Sequence, residues 1–134
     1  MVAIAKGGRV RRAPLPGKPG YIISTNPEHI YFGGNSGFQA INLAYLMGAS
    51  RIVLLGFDMG VTGGKLHWHA DHGGRCHNPP PSQINQWRRT VDAAAGQLLD
   101  MGVNVVNCTG TTALVDWPRA TLDEVFCDPP QSTR

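Results

Sequence analysis

The sequence shows no long hydrophobic run, no cysteine framework and no signal-peptide pattern. No apolar stretch approaches the ~20 residues that span a bilayer, so we expect no contact with a membrane. Three cysteines at wide, unequal spacing (Cys76, Cys108 and Cys127) do not indicate paired disulfides. The basic first residues are not followed by the apolar core and cleavage site of a signal peptide. Together these absences predict a protein of the reducing cytoplasm.

Acidic residues are missing from the first eighteen positions, which hold five basic ones. The other seven lysines and arginines face nine acidic residues, so the net charge of +3 comes from this arm. No aromatic residues interleave with the positive charges of the arm, which argues against nucleic-acid binding. At 134 residues and 42% hydrophobic, the chain predicts a basic irregular arm over 1–20 and a single globular domain over 21–134.

Apolar runs and turn signals alternate along the rest of the chain, in the order β-β-α-β-loop-α-β-α. The strand candidates are short and apolar, and they cover residues 21–24, 29–32, 52–57 and 103–107. Periodic apolar residues predict one helix over 38–47 with Ser36 as its N-cap, and a second from Ser82 to a stop at Gly102. Thr121-Leu-Asp-Glu124 has the pattern of a capping box that opens a short last helix.

The strand over 52–57 is continuously apolar, which is typical of a parallel sheet covered on both faces by helices. The element order therefore predicts an α/β fold, a three-layer sandwich with a short, mainly parallel sheet. In such a sheet the carboxyl ends of the strands share one edge, and ligands bind there. We expect three loops to converge on this edge, over residues 33–37, 58–81 and 108–112.

The first of these loops, Gly33-Gly-Asn-Ser-Gly37, is a glycine-rich turn that opens a helix. Backbone N–H groups at a helix N-terminus bind anions, and glycine allows a phosphate to approach closely. The turn has neither the Gly-Lys-Ser/Thr of a Walker loop nor the GxGxxG spacing. Gly34, Asn35, Ser36 and Gly37 are therefore candidates for nucleotide binding, with a ligand-free strand–helix turn as the open alternative.

Polar residues also end two of the predicted strands. Asp58 follows the central strand, where a carboxylate suits a ribose hydroxyl, a metal ion or a transferred proton; capping of a nearby loop amide is the alternative. Asn107 and Thr109 close the next strand and are candidates for contact with a base or sugar. Lys65, in the long loop, is a candidate for neutralising a phosphate.

The long loop carries the sharpest pattern in the sequence, His67-Trp-His-Ala-Asp-His72. With Asp71, its three imidazoles resemble the HxHxDH signature of metallo-β-lactamase-like hydrolases, whose ligands hold zinc. The chain has no histidine after His77 to complete such a site. Histidine also suits general acid–base catalysis near neutral pH. Metal-binding, catalytic and structural interpretations of His67, His69 and His72 therefore stay open.

The stretch from Asn35 to Met59 resembles the central segment of the DUF115 / MptE-like proteins, and it is similar to bacterial sialyltransferases that use CMP-sialic acid. The shared features are a Ser-Gly helix start, a Gly-Ala-x-x-Ile strand entry and a Gly-Phe-Asp strand end. Residues 103–109 and 113–124 look like the C-terminal part of these proteins. Small phage-encoded members also carry a loop of the Gly-Lys-x-His-Trp-His type.

The resemblance implies a Rossmann-like nucleotide-binding domain. Its characterised members include a pterin diphosphokinase that uses ATP and magnesium, and transferases that use CMP-sugars. By resemblance, Asn35, Ser36 and Gly37 match the nucleotide-contacting turn and Asp58 matches the acid after the central strand, while a loop histidine acts as general base. The stretch before the turn is short for such a site, so we expect a minimal version, a homo-oligomer or a site completed by a partner subunit.

Three functions follow as expectations. The first is a phage-type transferase that binds a nucleotide or nucleotide-sugar, with or without a divalent metal (Mg or Zn), in the cytoplasm of an infected host cell. Its catalytic candidates are Asp58, His67, His69 and His72. The second is a zinc-dependent hydrolase whose metal is held by the same three histidines and Asp71. The third is a non-enzymatic phage structural or interaction protein.

Overall fold

The computed structural model describes residues 11–13, 22–60 and 79–127. In these ranges the chain forms short strands and helices in alternation. Their bounds are β1 Arg11–Ala13, β2 His29–Tyr31, α1 Ser36–Leu46, β3 Arg51–Leu54, α2 Pro81–Asp100, β4 Asn104–Asn107 and α3 Leu122–Phe126. Every helix predicted from the sequence is present, and β1 lies within the arm that the sequence predicts to be irregular.

The strands of the described ranges pair in parallel. β1 lies beside β2, with Arg11 opposite His29, and β3 lies beside β4, with Arg51 opposite Asn104. In the described part of the chain no ladder joins one pair to the other. The structure therefore confirms an α/β fold with short parallel strands, while the three-layer sandwich stays a prediction.

The strand predicted over 21–24 is wrong for residues 22–24, which belong to no strand. The backbone N–H groups of Ile22 and Ile23 donate to Oε1 of Gln97 at 2.6 and 2.7 Å. The N–H of Ser24 donates to Oδ1 of Asn42 at 3.0 Å. Because side-chain amides from two helices satisfy these groups, the segment needs no neighbouring strand.

Both long helices begin differently from the prediction. Asn35, not Ser36, caps α1, since its Oδ1 accepts a hydrogen bond of 2.8 Å from the N–H of Phe38. Helix α2 begins at Pro81, before the predicted cap Ser82, and it has no side-chain cap. Proline suits the first helical position because its ring presets the backbone angle and it has no N–H to satisfy.

Glycine ends the helices and shortens the central strand. Gly48 and Gly102 follow α1 and α2 with φ of +85° and +78°, as the sequence predicts. Strand β3 ends at Leu54, short of the predicted Phe57. Gly56 takes a φ of +70°, which turns the backbone away from the extended conformation.

The core lies between the inner faces of α1 and α2 and the strand pair β3–β4. Its members are apolar and nearly inaccessible, and in the described ranges they come from α1, β3, α2, β4 and the segments around Ile23, Val103 and Trp117. In the described ranges the largest fully buried apolar side chains are Ile23, Phe38, Val91, Leu98, Val105 and Trp117. This core holds the amino end of α1 and the carboxyl end of β3 in fixed relation to each other.

Helix α3 opens with the predicted capping box. Oγ1 of Thr121 accepts from the N–H of Glu124 at 3.2 Å, and the N–H of Thr121 donates to Oε2 of Glu124 at 2.7 Å. The pKa of the Glu124 carboxyl lies below its ordinary value of 4.5. The backbone bond from Thr121 is the larger cause, and a bond from the Thr121 hydroxyl is the second. Both bonds favour the charged form.

We expect this box to make the stability of α3 depend on pH. A carboxyl whose pKa is lower in the folded state stabilises the fold above its unfolded value, near 4.5, and the stabilisation disappears as pH falls through the folded pKa. In an NMR titration, Thr121→Ala should move the pKa of Glu124 up towards 4.5. Thr121→Ser keeps the hydroxyl and should leave the titration curve of Glu124 unchanged. An identical pKa in wild type and Thr121→Ala would contradict this account.

Candidate functional site

The amino end of α1 lies directly against the residues that follow β3. A β-carbon added to Gly37 would stand 2.9 Å from Cε1 of Phe57, closer than real β-carbons approach other atoms. Glycine at this position therefore allows the helix start and the strand end to meet. The loop over 33–37 is thereby brought against Phe57, the residue that precedes the loop predicted over 58–81.

The glycine turn before α1 is built on left-handed backbone. Gly33 and Gly34 have φ of +57° and +88°, which other residues rarely adopt. A β-carbon on Gly34 would lie 2.5 Å from the indole of Trp87, so α2 packs closely behind the turn. The predicted need for glycine is thus explained by backbone angle and close packing, and no ligand is required to account for it.

Asn35 carries the one unexplained polar atom of the turn. Its Oδ1 caps the helix, but its Nδ2 is buried and has no hydrogen-bond partner, the only such side-chain atom in the described residues. A buried donor without a partner costs about 1–3 kcal/mol. The first turn of α1 contains no acidic side chain to offset the positive end of the helix dipole. An anionic acceptor beside Nδ2 would accept its hydrogen bond and would also interact favourably with the positive end of the helix dipole.

Hydrogen bonds with the neighbouring loop, residues 109–113, hold the backbone at Phe57 and Asp58. The N–H of Phe57 donates to Oγ1 of Thr109 at 3.0 Å, and Oγ1 of Thr112 donates to the carbonyl of Phe57 at 2.5 Å. The N–H of Ala113 donates to the carbonyl of Asp58 at 2.7 Å. Asp58 itself is exposed, so a fixed main chain presents its carboxylate to solvent at the edge of the sheet.

The residue after Asp58 has an uncommon backbone. Met59 has a φ of +49°, in the left-handed region, the only non-glycine residue of the described ranges to do so. Such conformations cost free energy and persist when the surroundings over-determine them. The bonds that hold Phe57 and Asp58 supply that constraint.

The side chains of Asn107 and Thr109, both predicted to contact a nucleotide, form hydrogen bonds to other groups of the protein. Asn107 is fully buried; its Oδ1 accepts from the N–H of Thr109 at 2.9 Å and its Nδ2 donates to Oγ1 of Thr112 at 3.4 Å. Thr109 is 4% exposed. Their nucleotide contact stays a prediction, and the contacts that the structure shows support the loop.

Two residues of this edge escaped the sequence analysis. Thr112 joins the loop to Phe57, as described above, and the guanidinium of Arg119 donates to the carbonyls of Thr109 and Gly110. The spacing of Asn107, Thr109 and Thr112 is a local signal for side-chain bonding to nearby backbone. No local signal marks Arg119, because its partners come from a separate turn.

The long loop lies outside the described residues. This applies to Lys65, His67, His69, Asp71 and His72, so their predicted roles in phosphate binding, catalysis and metal binding stay predictions. In the described ranges no three histidine, cysteine or acidic residues are grouped to hold a metal ion. Among the described helices, none has the length and apolar character needed to cross a membrane.

The described edge therefore combines a helix start without acidic side chains in its first turn, a buried amide donor and an exposed carboxylate on the hydrogen-bonded segment that follows β3. This arrangement can bind an anion beside a group that orients a hydroxyl or a cation. Sequence and structure comparisons give no further guide to its chemistry. No protein-family model, curated protein or solved structure matches this chain, so its function has to be inferred from the site itself.

Proposed function

We propose that this chain is a Rossmann-like protein that binds the phosphates of a nucleotide or nucleotide-sugar at the amino end of α1, as part of a transferase. The observation that carries the proposal is Nδ2 of Asn35, a donor that is buried at the helix start and has no partner among the described residues. A phosphate oxygen can accept from this donor, and its negative charge suits a helix start. The family resemblance of residues 35–59 supports the same assignment.

The turn suits a phosphate for three reasons. Backbone N–H groups at a helix start bind anions, and the glycines at 33, 34 and 37 carry no side chain of their own that would compete for that position. The first turn of α1 has no acidic side chain that would repel the ligand. The amide of Asn35 adds a neutral donor whose bond to an anion would be stronger than one to water, since charge-assisted bonds exceed neutral ones.

The carboxylate of Asp58 gives the ligand a second point of contact. It lies just beyond Phe57, whose ring contacts the start of α1 at Gly37. A carboxylate there can accept from a ribose hydroxyl or hold a divalent cation that bridges to the phosphates. The two parallel strand pairs would then belong to one sheet, and the helices on its two faces would complete a three-layer sandwich, as in Rossmann-like folds.

For the transfer step we infer that a histidine of the long loop acts as general base. His67, His69 or His72 would take the proton of an acceptor hydroxyl, whose oxygen forms a new bond to the transferred group as the bond to the donor phosphate breaks. The phosphate leaves with the bonding electrons and is stabilised at the helix start. Histidine is suited to this role because it titrates near neutral pH.

The test is calorimetric binding of CMP, CDP, ATP and UDP-sugars, with and without Mg²⁺ or Zn²⁺, to wild type and Asn35→Asp. Aspartate caps a helix as well as asparagine does, but it replaces the amide donor with a negative charge. We expect Asn35→Asp to fold normally and to bind at least about tenfold more weakly, the equivalent of one lost charged hydrogen bond.

Two glycine variants complete the experiment. Gly37→Val places a side chain against Phe57 and at the helix start, and should abolish binding. Gly96→Val, in α2, makes the same change where a β-carbon meets nothing within 4 Å, and should leave binding intact. If wild type binds no member of the panel, or if Asn35→Asp binds as tightly as wild type, the proposal fails.

A further inference from the structure

We infer that Arg119 is a positioning residue of this edge: it locks residues 109–113 against the end of β3 and thereby fixes the backbone of Asp58. The inference rests on the proposed function for its effect on a ligand, whereas the locking itself is a property of the protein alone. Arg119 lies in the segment after the buried Trp117, well separated in sequence from Asp58.

The guanidinium of Arg119 holds two consecutive carbonyls of the loop. One terminal nitrogen donates to the carbonyl of Thr109 at 2.5 Å and to that of Gly110 at 3.0 Å. Arginine is charged at all relevant pH values, and its bonds are stronger than those of a neutral donor. A single side chain therefore restrains two successive peptide groups.

The backbone around Arg119 is itself held by β4. Arg119 forms a parallel bridge with Asn107, whose N–H donates to the carbonyl of Pro118 at 2.7 Å. Just upstream, the indole N–H of Trp117 donates to the carbonyl of Val91 at 2.9 Å. The arginine thus extends from a segment anchored in the core and on a strand, which makes it a rigid support for the loop.

The loop passes this restraint to Asp58. Beside the carbonyl held by Arg119, the hydroxyl of Thr109 accepts from the N–H of Phe57. The hydroxyl of Thr112 bonds to the carbonyl of Phe57, and the N–H of Ala113 bonds to the carbonyl of Asp58. Loss of the arginine frees the end of the loop that makes the first of these bonds, and the position of Asp58 then becomes less restricted.

Hydrogen exchange of Arg119→Met tests the locking without any ligand. We expect exchange at the amides of Phe57 and Ala113 to accelerate by on the order of tenfold, because both donate across this contact. Exchange at Leu98, in the core, should not change. The matched control is Arg51→Met, since Arg51 also donates to a backbone carbonyl, that of Val125, but at the opposite end of β3. Unchanged exchange at Phe57 and Ala113 in Arg119→Met would overturn the inference.

Binding of CDP and ATP by the same variants tests the consequence for the site. We expect Arg119→Met to bind at least about threefold more weakly than wild type, with Arg51→Met unaffected and the midpoint of thermal unfolding of both variants close to wild type. A loss caused only by the missing positive charge would fade between about 0.05 M and about 0.5 M salt, whereas a loss of positioning persists. Accelerated exchange in Arg119→Met with full affinity would reject the positioning role. Absence of binding by wild type would instead reject the proposed function, and the exchange result would still decide the locking.

Discussion

Replacing Asn42 with alanine is expected to lower the free energy of unfolding by about 3 kcal/mol or more. Asn42 is fully buried in α1, and its amide bonds to three backbone groups. Its Oδ1 accepts from the N–H of Ser24 at 3.0 Å and of Tyr31 at 3.1 Å, and its Nδ2 donates to the carbonyl of Ser24 at 2.9 Å. Alanine would leave all three groups without this partner, at about 1–3 kcal/mol for each one that stays buried.

The measurement is urea unfolding followed by circular dichroism, with the midpoints compared at constant slope. Asn85→Ala is the matched control, because Asn85 is exposed on α2 and the substitution has the same intrinsic helix propensity effect. We expect the control to change stability by less than about 0.5 kcal/mol. A loss below about 1 kcal/mol in Asn42→Ala would show that water or rearranged backbone replaces the amide.

Trp117→Ala is expected to cost about 3–5 kcal/mol, a large part of the stability of a domain of this size. Trp117 is 2% exposed, and its indole N–H donates to the carbonyl of Val91 in α2. Alanine therefore leaves a large cavity and removes a buried hydrogen bond. The segment before Trp117 also rests on α2, since Oδ1 of Asp92 accepts from the N–H groups of Val115 and Asp116.

Two further variants separate the contributions. Trp117→Phe retains most of the apolar volume but removes the indole N–H, so we expect a smaller loss than for alanine. Val115→Ala removes a side chain that is 79% exposed and should change stability by less than about 0.5 kcal/mol. Equal stability of wild type and Trp117→Ala in urea would show that the segment over 113–120 does not depend on this anchor.

Local chemistry explains why the helices could be predicted. Gly48 and Gly102 mark helix ends because their left-handed backbone is a property of each glycine. The capping box of Thr121 and Glu124 is formed by residues three positions apart. Errors at the starts of α1 and α2 are small: two neighbouring residues can each cap α1, and a proline can begin α2 without a capping side chain.

The strand predicted over 21–24 failed for a different physical reason. Ile22, Ile23 and Ser24 read as an apolar strand, yet their backbone groups bond to the amides of Asn42 and Gln97. An amide that lies in a helix pattern, up to 75 positions away, gives no sign in the sequence that it will replace a strand neighbour. Strand β1 was missed because its partner β2 is also distant in the chain.

The carboxyl edge of the strands shows the same difference between features set by adjacent residues and contacts made across the fold. The sequence correctly indicated that the glycine turn opens a helix, since this depends on adjacent residues. It placed Asp58 directly after the strand, whereas β3 ends at Leu54. It did not indicate that Asn107 and Thr109 would be occupied in supporting the loop, or that Arg119 would hold that loop. Those roles depend on which side chains the fold brings within hydrogen-bond distance.

By itself, then, the sequence determined the helices, the parallel α/β class and the residue types at the carboxyl edge of the strands, because periodicity, capping and glycine backbone angles act over a few neighbouring positions. The tertiary structure alone decided which amides replace a strand over 22–24, and that Nδ2 of Asn35 is buried without a partner in the described residues. The reason is that burial and hydrogen bonding are properties of groups meeting across the fold, whose partners are chosen by packing and not by their separation along the chain.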